Sequence, residues 1–266
     1  MKELICDTNI WYGLGNDTIS KPDNVKLIAT WINIIEIGYS HPKIKPKLNE
    51  DECKSAAKAI LKFSDNIIEM DTFCYATKRI APGLDINVIP IRWVLEEIAS
   101  VGLPNSETYF EYQKYYDLFL NSKSNYSESI NKEKEKIREK ELKNSISKKE
   151  FKDSDELQIQ EHVCGLLKDI DGFLKAKYNK YIGFVDQTDF DQTCEKLKNE
   201  FECFVYTRQM FMKKLNLTRS MKMQPNDYFD LQNLLYVDKD KLFWTKENRW
   251  KTALKEANVE KYLFEK

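Results

Sequence analysis

The sequence predicts an α/β fold, in which a central parallel sheet is flanked by helices. Short apolar runs that end in polar residues alternate with longer amphipathic segments, over the first hundred residues and again near the end. The first of these runs, residues 4–6, is apolar throughout, which is typical of a strand buried on both faces of a sheet. Strands that alternate with helices favour parallel pairing, because parallel neighbours need a crossover connection.

The first hundred residues contain the most regular alternation. Strands are expected at 4–6, 25–29 and 67–70, and helices at 51–64 and 91–101. The polar Asp-Thr-Asn that follows the first strand is expected to form a loop. A further helix is expected to begin at Trp31, because Thr30 directly before it is a good N-cap residue. Glu36 then projects from a helix that is otherwise strongly apolar.

The middle of the chain has a different character. Residues 106–180 are rich in Lys, Glu, Tyr and Asn and lack strand patterns, so we predict a mostly helical insertion there. It would divide an α/β domain into two parts, 1–105 and 181–266. The opposite charges of residues 131–144 fit either a solvated helix or an exposed arm. After the insertion we expect strands at 181–185, 241–244 and 262–264, and helices at 207–217, 227–237 and 246–258.

Composition narrows the possible functions. The 266 residues carry a net charge of −1, so a polyanionic partner would need a local basic patch. Six dispersed cysteines without a C-x-x-C motif predict reduced thiols in a cytoplasmic protein. No apolar run reaches the length of about 18 residues that a transmembrane helix needs, so no membrane partner is expected. With two histidines and no glycine-rich phosphate loop, the remaining reactive side chains are carboxylates.

Five carboxylates stand where the predicted fold would bring them to one edge of the sheet: Asp7, Glu36, Asp227, Asp230 and Glu247. Asp7 follows the first strand and Glu247 follows the last main strand, and ligands of open parallel sheets bind at the carboxyl ends of strands. Asp227 and Asp230 are three residues apart, so a helix presents both on one side. Clustered carboxylates repel one another, which predicts a divalent cation, Mg²⁺ or Mn²⁺, between them.

Four motifs carry a family resemblance through their order and setting. They are Asp7-Thr8-Asn9 after a strand, Thr30 to Glu36 at a helix start, Asn226 to Asp230 before an apolar helix, and Thr245-Lys246-Glu247 after a strand. In these motifs the chain resembles the PIN domain family of metal-dependent nucleases. The resemblance covers residues 1–100 and 205–266 and leaves the middle of the chain unexplained.

The resemblance implies a Rossmann-like PIN fold, dependence on Mg²⁺ or Mn²⁺, and endoribonuclease activity of the kind found in toxins, defence effectors and RNA-processing enzymes. It implies that Asp7, Glu36 and Asp230 are metal ligands, and the sequence does not decide whether Asp227 shares that role with Asp230. Asn9 and Thr245 would orient the acids and water. Glu247 would complete the acidic pocket, although the family usually has Asp in this Thr-x-Asp position.

The expected partner is RNA, with DNA possible as an alternative substrate. The best candidate patch for a phosphate backbone is basic and precedes the helical aspartates: Lys213, Lys214, Arg219 and Lys222. An antitoxin or other regulatory protein and a homodimer are expected by analogy with the family alone. The alternative function is a non-catalytic PIN-like scaffold that binds nucleic acid or a protein, which Glu247 and the unusual middle segment motivate.

Overall fold

The computed structural model describes residues 1–38, 50–88, 90–101, 124–136, 155–218 and 220–265. Within these residues four parallel strands form one sheet: β1 (Lys2–Cys6), β2 (Val25–Thr30), β3 (Ser64–Ile68) and β4 (Lys241–Trp244). Their order across the sheet is β3–β2–β1–β4. The chain is therefore an α/β protein with a Rossmann-like parallel sheet, which confirms the predicted fold class.

Helices connect and cover the strands. Before the middle segment they are α1 (Thr8–Gly15), α2 (Trp31–Gly38), α3 (Glu50–Phe63), α4 (Thr72–Ile80) and α5 (Arg92–Val101). The middle segment contributes α6, with helical residues 124–136, and α7 (Asp155–Tyr178). The last helices are α8 (Gln187–Glu200), α9 (Glu202–Leu217), α10 (Pro225–Asn233) and α11 (Asn248–Glu256). Two 3₁₀ turns, Leu234–Tyr236 and Glu260–Tyr262, complete the description.

The strand order places a crevice at the carboxyl end of β1. The chain passes from β1 to β2 to β3 in one direction, and then crosses to the other side of β1 to form β4. The point where the direction reverses is where ligands bind in open α/β sheets. The N–H of Asp7 donates to the carbonyl of Trp244 at 2.9 Å, which ties the ends of β1 and β4 together.

The sheet is buried on both faces at its centre. Consecutive residues are buried in β1, at Leu4, Ile5 and Cys6, and most of β2 is buried as well. Such runs are expected where helices cover both faces of a parallel sheet. The helices form two packed groups: α1, α2, α3 and α5 contact one another, whereas α4 and α7 to α11 make a second set of contacts.

Two local predictions fail near the strand ends. The residues after β1 do not form a loop, because α1 begins directly at Thr8. The strand predicted at 181–185 is wrong: this segment is irregular, Val185 is 91% exposed, and Gly183 has a positive φ of 73°. No strand in the described part of the chain pairs with this segment, so its apolar pattern does not correspond to a sheet face.

Other elements are shifted or were missed. The predicted edge strand at 262–264 reduces to one parallel bridge between Phe243 and Leu263, after the second 3₁₀ turn. The helix predicted at 227–237 ends as α10 at Asn233 and continues as a 3₁₀ turn. Helices α4 and α8 were not predicted. The remaining predicted strands and helices are present, with ends that move by a few residues.

The predicted insertion is helical where the structure describes it, while residues 106–123 and 137–154 lie outside the described residues. Helix α6 is attached to the segment that leads into α10. Asn131 exchanges two hydrogen bonds with the backbone of Met223, at 2.9 and 3.0 Å, and the buried Lys134 donates to the carbonyl of Thr218 at 3.0 Å. The described part of the charged run is therefore a docked helix. None of the described helices has the length and apolarity needed to cross a bilayer.

Candidate active site

An open pocket of about 660 Å³ lies at the crevice beyond β1. All five predicted acids line it: Asp7, Glu36, Asp227, Asp230 and Glu247. They come from the ends of β1 and β4 and from helices α2 and α10, and they span 240 positions of sequence. Asn9 lines the pocket too, as do Asp51 and Glu52 from the start of α3. The structure thus brings the predicted carboxylates into one concave site.

Asp7 is not used as a helix cap. It occupies the N-cap position of α1, but its side chain makes no capping hydrogen bond. Instead it is 4% exposed and accepts a hydrogen bond of 2.7 Å from the hydroxyl of Thr245. Asp71 shows the ordinary behaviour, because at the N-cap of α4 it accepts from the N–H of Cys74 at 2.9 Å. The Asp7 carboxylate is therefore available to the pocket.

Burial and mutual repulsion perturb two of the carboxylates. Burial raises the pKa of Asp7 to about 7, and repulsion from Glu36 and Glu247 adds to the rise, although the Thr245 hydrogen bond opposes it. The pKa of Asp230 is well above its ordinary value for the same reasons, burial first and then the charges of Asp7 and its neighbours. Acids with raised pKa values gathered in a cleft are typical of functional sites.

Glu36 is held by a hydrogen-bond chain that starts at the sheet. Its carboxylate accepts from the hydroxyl of Thr8, and this hydroxyl accepts from the side-chain amide of Asn33 at 3.0 Å. Asn33 is fully buried, donates to the carbonyl of Cys6 at 3.1 Å and accepts from the N–H of Thr30 at 2.8 Å. The side-chain amide of Asn33 therefore satisfies backbone groups at the ends of β1 and β2, and it orients Thr8 against Glu36.

Glu247 lines the pocket from the connection between β4 and α11. It occupies the N-cap position of α11 without a capping hydrogen bond from its side chain. Its carboxylate accepts from the amide of Asn9 at 2.5 Å, and its N–H donates to the hydroxyl of Thr245 at 3.0 Å. Asn9 and Thr245 thus each hydrogen-bond one pocket carboxylate, Glu247 and Asp7 respectively.

The two helical aspartates differ in their partners. Asp227 is 2% exposed, accepts from the N–H of Gln224 at 2.7 Å and forms a two-point ion pair with Arg249, whose second contact is 3.0 Å. Asp230 lies one turn further along α10, half-buried, and no cation in the described part of the chain pairs with it. Asp230 is therefore the better candidate for a metal ligand.

The described residues of the predicted basic patch do not line the pocket. Lys213, Lys214 and Lys222 are not among its lining residues, and Lys214 forms an ion pair with Glu256. Arg219 lies outside the described residues. Their contribution to nucleic-acid binding stays a prediction.

Sequence reasoning missed two residues that shape the site. Arg249 lines the pocket, and the signal for it was a cation two positions after the candidate acid Glu247, in the first turn of a helix. Asn33 organises the strand ends, and the signal was an amide between Ile32 and Ile34 in an apolar helix. A buried amide is costly unless it is fully hydrogen-bonded, so such a position indicates a network.

The donor set fits an oxygen-preferring divalent ion by its chemistry, because it consists of carboxylates and side-chain amides. Among the described residues, however, no group of three or more acids, histidines or cysteines is arranged to hold a metal ion. Glu36 and Glu247 hydrogen-bond to Thr8 and Asn9 instead.

Comparisons of the chain with protein-family models, with curated proteins and with solved structures found no match. Its function is therefore inferred from the pocket, a crevice at the topological switch point of a parallel sheet in which most of the charged residues of the described lining are acidic.

Proposed function

We propose that the chain is a metal-dependent nuclease of the PIN type, an endoribonuclease that hydrolyses phosphodiester bonds of RNA. One observation carries the proposal. Asp7 and Asp230 line the same pocket as Glu36 and Glu247, at the end of β1, and their pKa values are raised, first by burial and then by the charges of these neighbouring acids. Buried like charges are costly to keep, so their presence here indicates a cationic ligand.

The residues divide into two roles under this proposal. Asp7, Glu36 and Asp230 would hold Mg²⁺ or Mn²⁺, and Glu247 would complete the acidic pocket. When bound, the ion would supply neutralisation of phosphate charge and activation of water. Thr245 and Asn9 keep Asp7 and Glu247 oriented through the hydrogen bonds already described. The pocket is open, which suits a single-stranded or looped backbone.

The decisive experiment compares cleavage of labelled single-stranded RNA and DNA of one sequence with Mn²⁺, with and without EDTA. We expect metal-dependent RNA products, and a loss of about 100-fold or more in Asp7→Asn, because this isosteric change removes a ligand charge. Asp71→Asn is the matched control, since Asp71 caps α4 outside the pocket. No metal-dependent product on either substrate would favour the non-catalytic scaffold, and cleavage of DNA alone would reassign the substrate.

A further inference from the structure

We propose that Arg249 contacts a phosphate of the bound nucleic acid and that Asp227 is the positioning residue for Arg249, not a metal ligand. The inference rests on the proposed function and names the side chain that receives the substrate. It also reassigns one of the acids that the sequence groups with the metal ligands.

The ion pair holds one edge of the guanidinium, and no acceptor among the described residues occupies the other edge. Both carboxylate oxygens of Asp227 accept from Arg249, one of them at 3.0 Å. Asp227 is buried, whereas the side chain of Arg249 is 41% exposed and lines the pocket. A guanidinium carries five N–H groups, so about three remain for another acceptor. Its planar fork matches the oxygens of a phosphate.

The position of Arg249 is fixed before any ligand binds. Its guanidinium lies 5.0 Å from the ring centre of Phe211 and 5.7 Å from that of Trp250, and these two rings are stacked on each other. Asp227 is itself anchored by the N–H of Gln224 in the first turn of α10. A cation held by two rings and a buried carboxylate loses little side-chain entropy on binding.

The charge of the pocket requires such a residue. Arg249 is the one cationic side chain among the described residues that line it, where the other ionised groups are carboxylates. A polyanion that approaches Asp7, Asp230 and Glu247 is repelled by them. An arginine in the lining of the pocket offsets this repulsion.

The alternative, in which Asp227 binds metal, conflicts with its contacts. Both of its oxygens already accept hydrogen bonds from Arg249 and one accepts from Gln224. These contacts use three of the about four acceptor sites of the carboxylate, so metal ligation would compete with the ion pair that holds Arg249. The two assignments therefore predict different consequences for metal affinity.

The first measurement is the affinity for a fluorescein-labelled single-stranded RNA in EDTA, by fluorescence anisotropy. We expect Arg249→Ala to weaken binding about tenfold, and to lower the salt dependence by about one phosphate contact. Lys251→Ala is the matched control, since Lys251 is on the same helix and does not line the pocket. Equal losses in the two variants, or no RNA binding by the wild type, would overturn the proposal. Arg249→Lys, with an intermediate loss expected, replaces Arg249→Ala if that variant is unfolded.

The second measurement tests the role of Asp227. In an Asp227→Asn background, Arg249→Ala should weaken RNA binding only about two- to threefold, because an unpositioned arginine contributes less. Asp227→Asn should also keep Mn²⁺ affinity within about twofold, whereas a metal ligand would lose 10-fold or more, by about the amount seen for Asp7→Asn. A loss of Mn²⁺ affinity in Asp227→Asn, or a full tenfold effect of Arg249→Ala in that background, contradicts the positioning role.

The two proposals fail in distinguishable ways. If RNA binding depends on Arg249 but no substrate is cleaved with Mn²⁺, the nuclease proposal is wrong and the phosphate contact stands. If cleavage depends on Asp7 and Arg249→Ala has the KM and kcat of the wild type, the nuclease proposal stands and the Arg249 contact is wrong.

Discussion

Two buried aspartates in this molecule lie in opposite electrostatic environments. Asp238 is fully buried, accepts from the hydroxyl of Tyr75 at 2.7 Å and pairs with Lys241 and Arg79. Burial alone would raise its pKa, but the hydrogen bonds from Lys241 and Tyr75 outweigh burial and hold the pKa below its ordinary value. Asp7 is buried almost as deeply among other acids, and its pKa rises to about 7.

The contrast separates a structural acid from a functional one. A buried carboxylate that stabilises the fold needs cations and donors around it, as Asp238 has. Asp7 accepts a hydrogen bond from one hydroxyl and has two acidic neighbours whose charges raise its pKa. Ionisation of Asp7 therefore lowers the stability of the fold. Asp227 falls between the two, in the pocket but paired with Arg249. Whether a pocket acid forms an ion pair with a cationic side chain therefore indicates whether it is a candidate metal ligand.

The largest expected effect on stability concerns Asp238, the structural acid of the comparison. Asp238→Ala should lower the free energy of unfolding by about 3–5 kcal/mol, because it leaves Lys241 and Tyr75 without their buried partner. Glu96→Ala is the control, since its pair with Arg92 is exposed and worth less than about 1 kcal/mol. Urea unfolding measures both. Similar losses in the two variants would remove the distinction between compensated and exposed pairs.

The next effect has the opposite sign and concerns Asp7. A folded-state pKa raised from 3.8 to about 7 means that the folded chain binds this proton more tightly, so stability is lost as pH rises through that window. Asp7→Asn should therefore stabilise the metal-free protein at about pH 8 by up to about 4 kcal/mol, and have little effect near pH 4.

The measurement is the difference between wild type and variant in urea unfolding with EDTA. The wild type alone is not diagnostic, because burial lowers the pKa of His162 to about 4 and its contribution changes with pH in the opposite direction. Destabilisation by Asp7→Asn at the higher pH would show that Asp7 is a compensated structural acid like Asp238.

The smallest of these effects concerns the support of Glu36. Asn33→Ala removes the hydrogen bonds that Asn33 makes with the carbonyl of Cys6 and the N–H of Thr30, at the ends of β1 and β2. It should lower the free energy of unfolding by about 2 kcal/mol. Because Thr8 then loses the donor that orients it against Glu36, metal-dependent cleavage should fall about 10-fold at temperatures where the variant is folded. Cleavage unchanged in the folded variant would limit Asn33 to a structural role.

Local patterns were sufficient for the four strands of the sheet and for the placement of the acids. The apolar run before Asp7 and the solitary charge of Glu36 on an apolar helix each depend on a few neighbouring residues. The start of α1 was missed because Asp-Thr-Asn is a signal for both a loop and a helix N-terminus. The segment 181–185 was misassigned because strand patterns do not show whether a neighbouring strand exists.

The sequence does not show which polar and charged side chains pair with one another in the folded chain. Asp227 and Arg249 are 22 positions apart, and Asn33 contacts residues of β1 and α1 more than 20 positions away. Nothing in the neighbourhood of Asp227 distinguishes it from Asp230 as a ligand. The distinction follows from which acid the folded chain places beside a cation.

The most direct test of the central claim, that Asp7 and Asp230 belong to a divalent cation site, is the thermal stability of the protein with saturating Mn²⁺ at about pH 8. We predict that Mn²⁺ at about 100 times its Kd raises the Tm of the wild type and of Asp71→Asn by about 5–10 °C. The same Mn²⁺ concentration should leave the Tm of Asp7→Asn and of Asp230→Asn unchanged. No shift in the wild type, or an equal shift in the two pocket variants, would contradict the account.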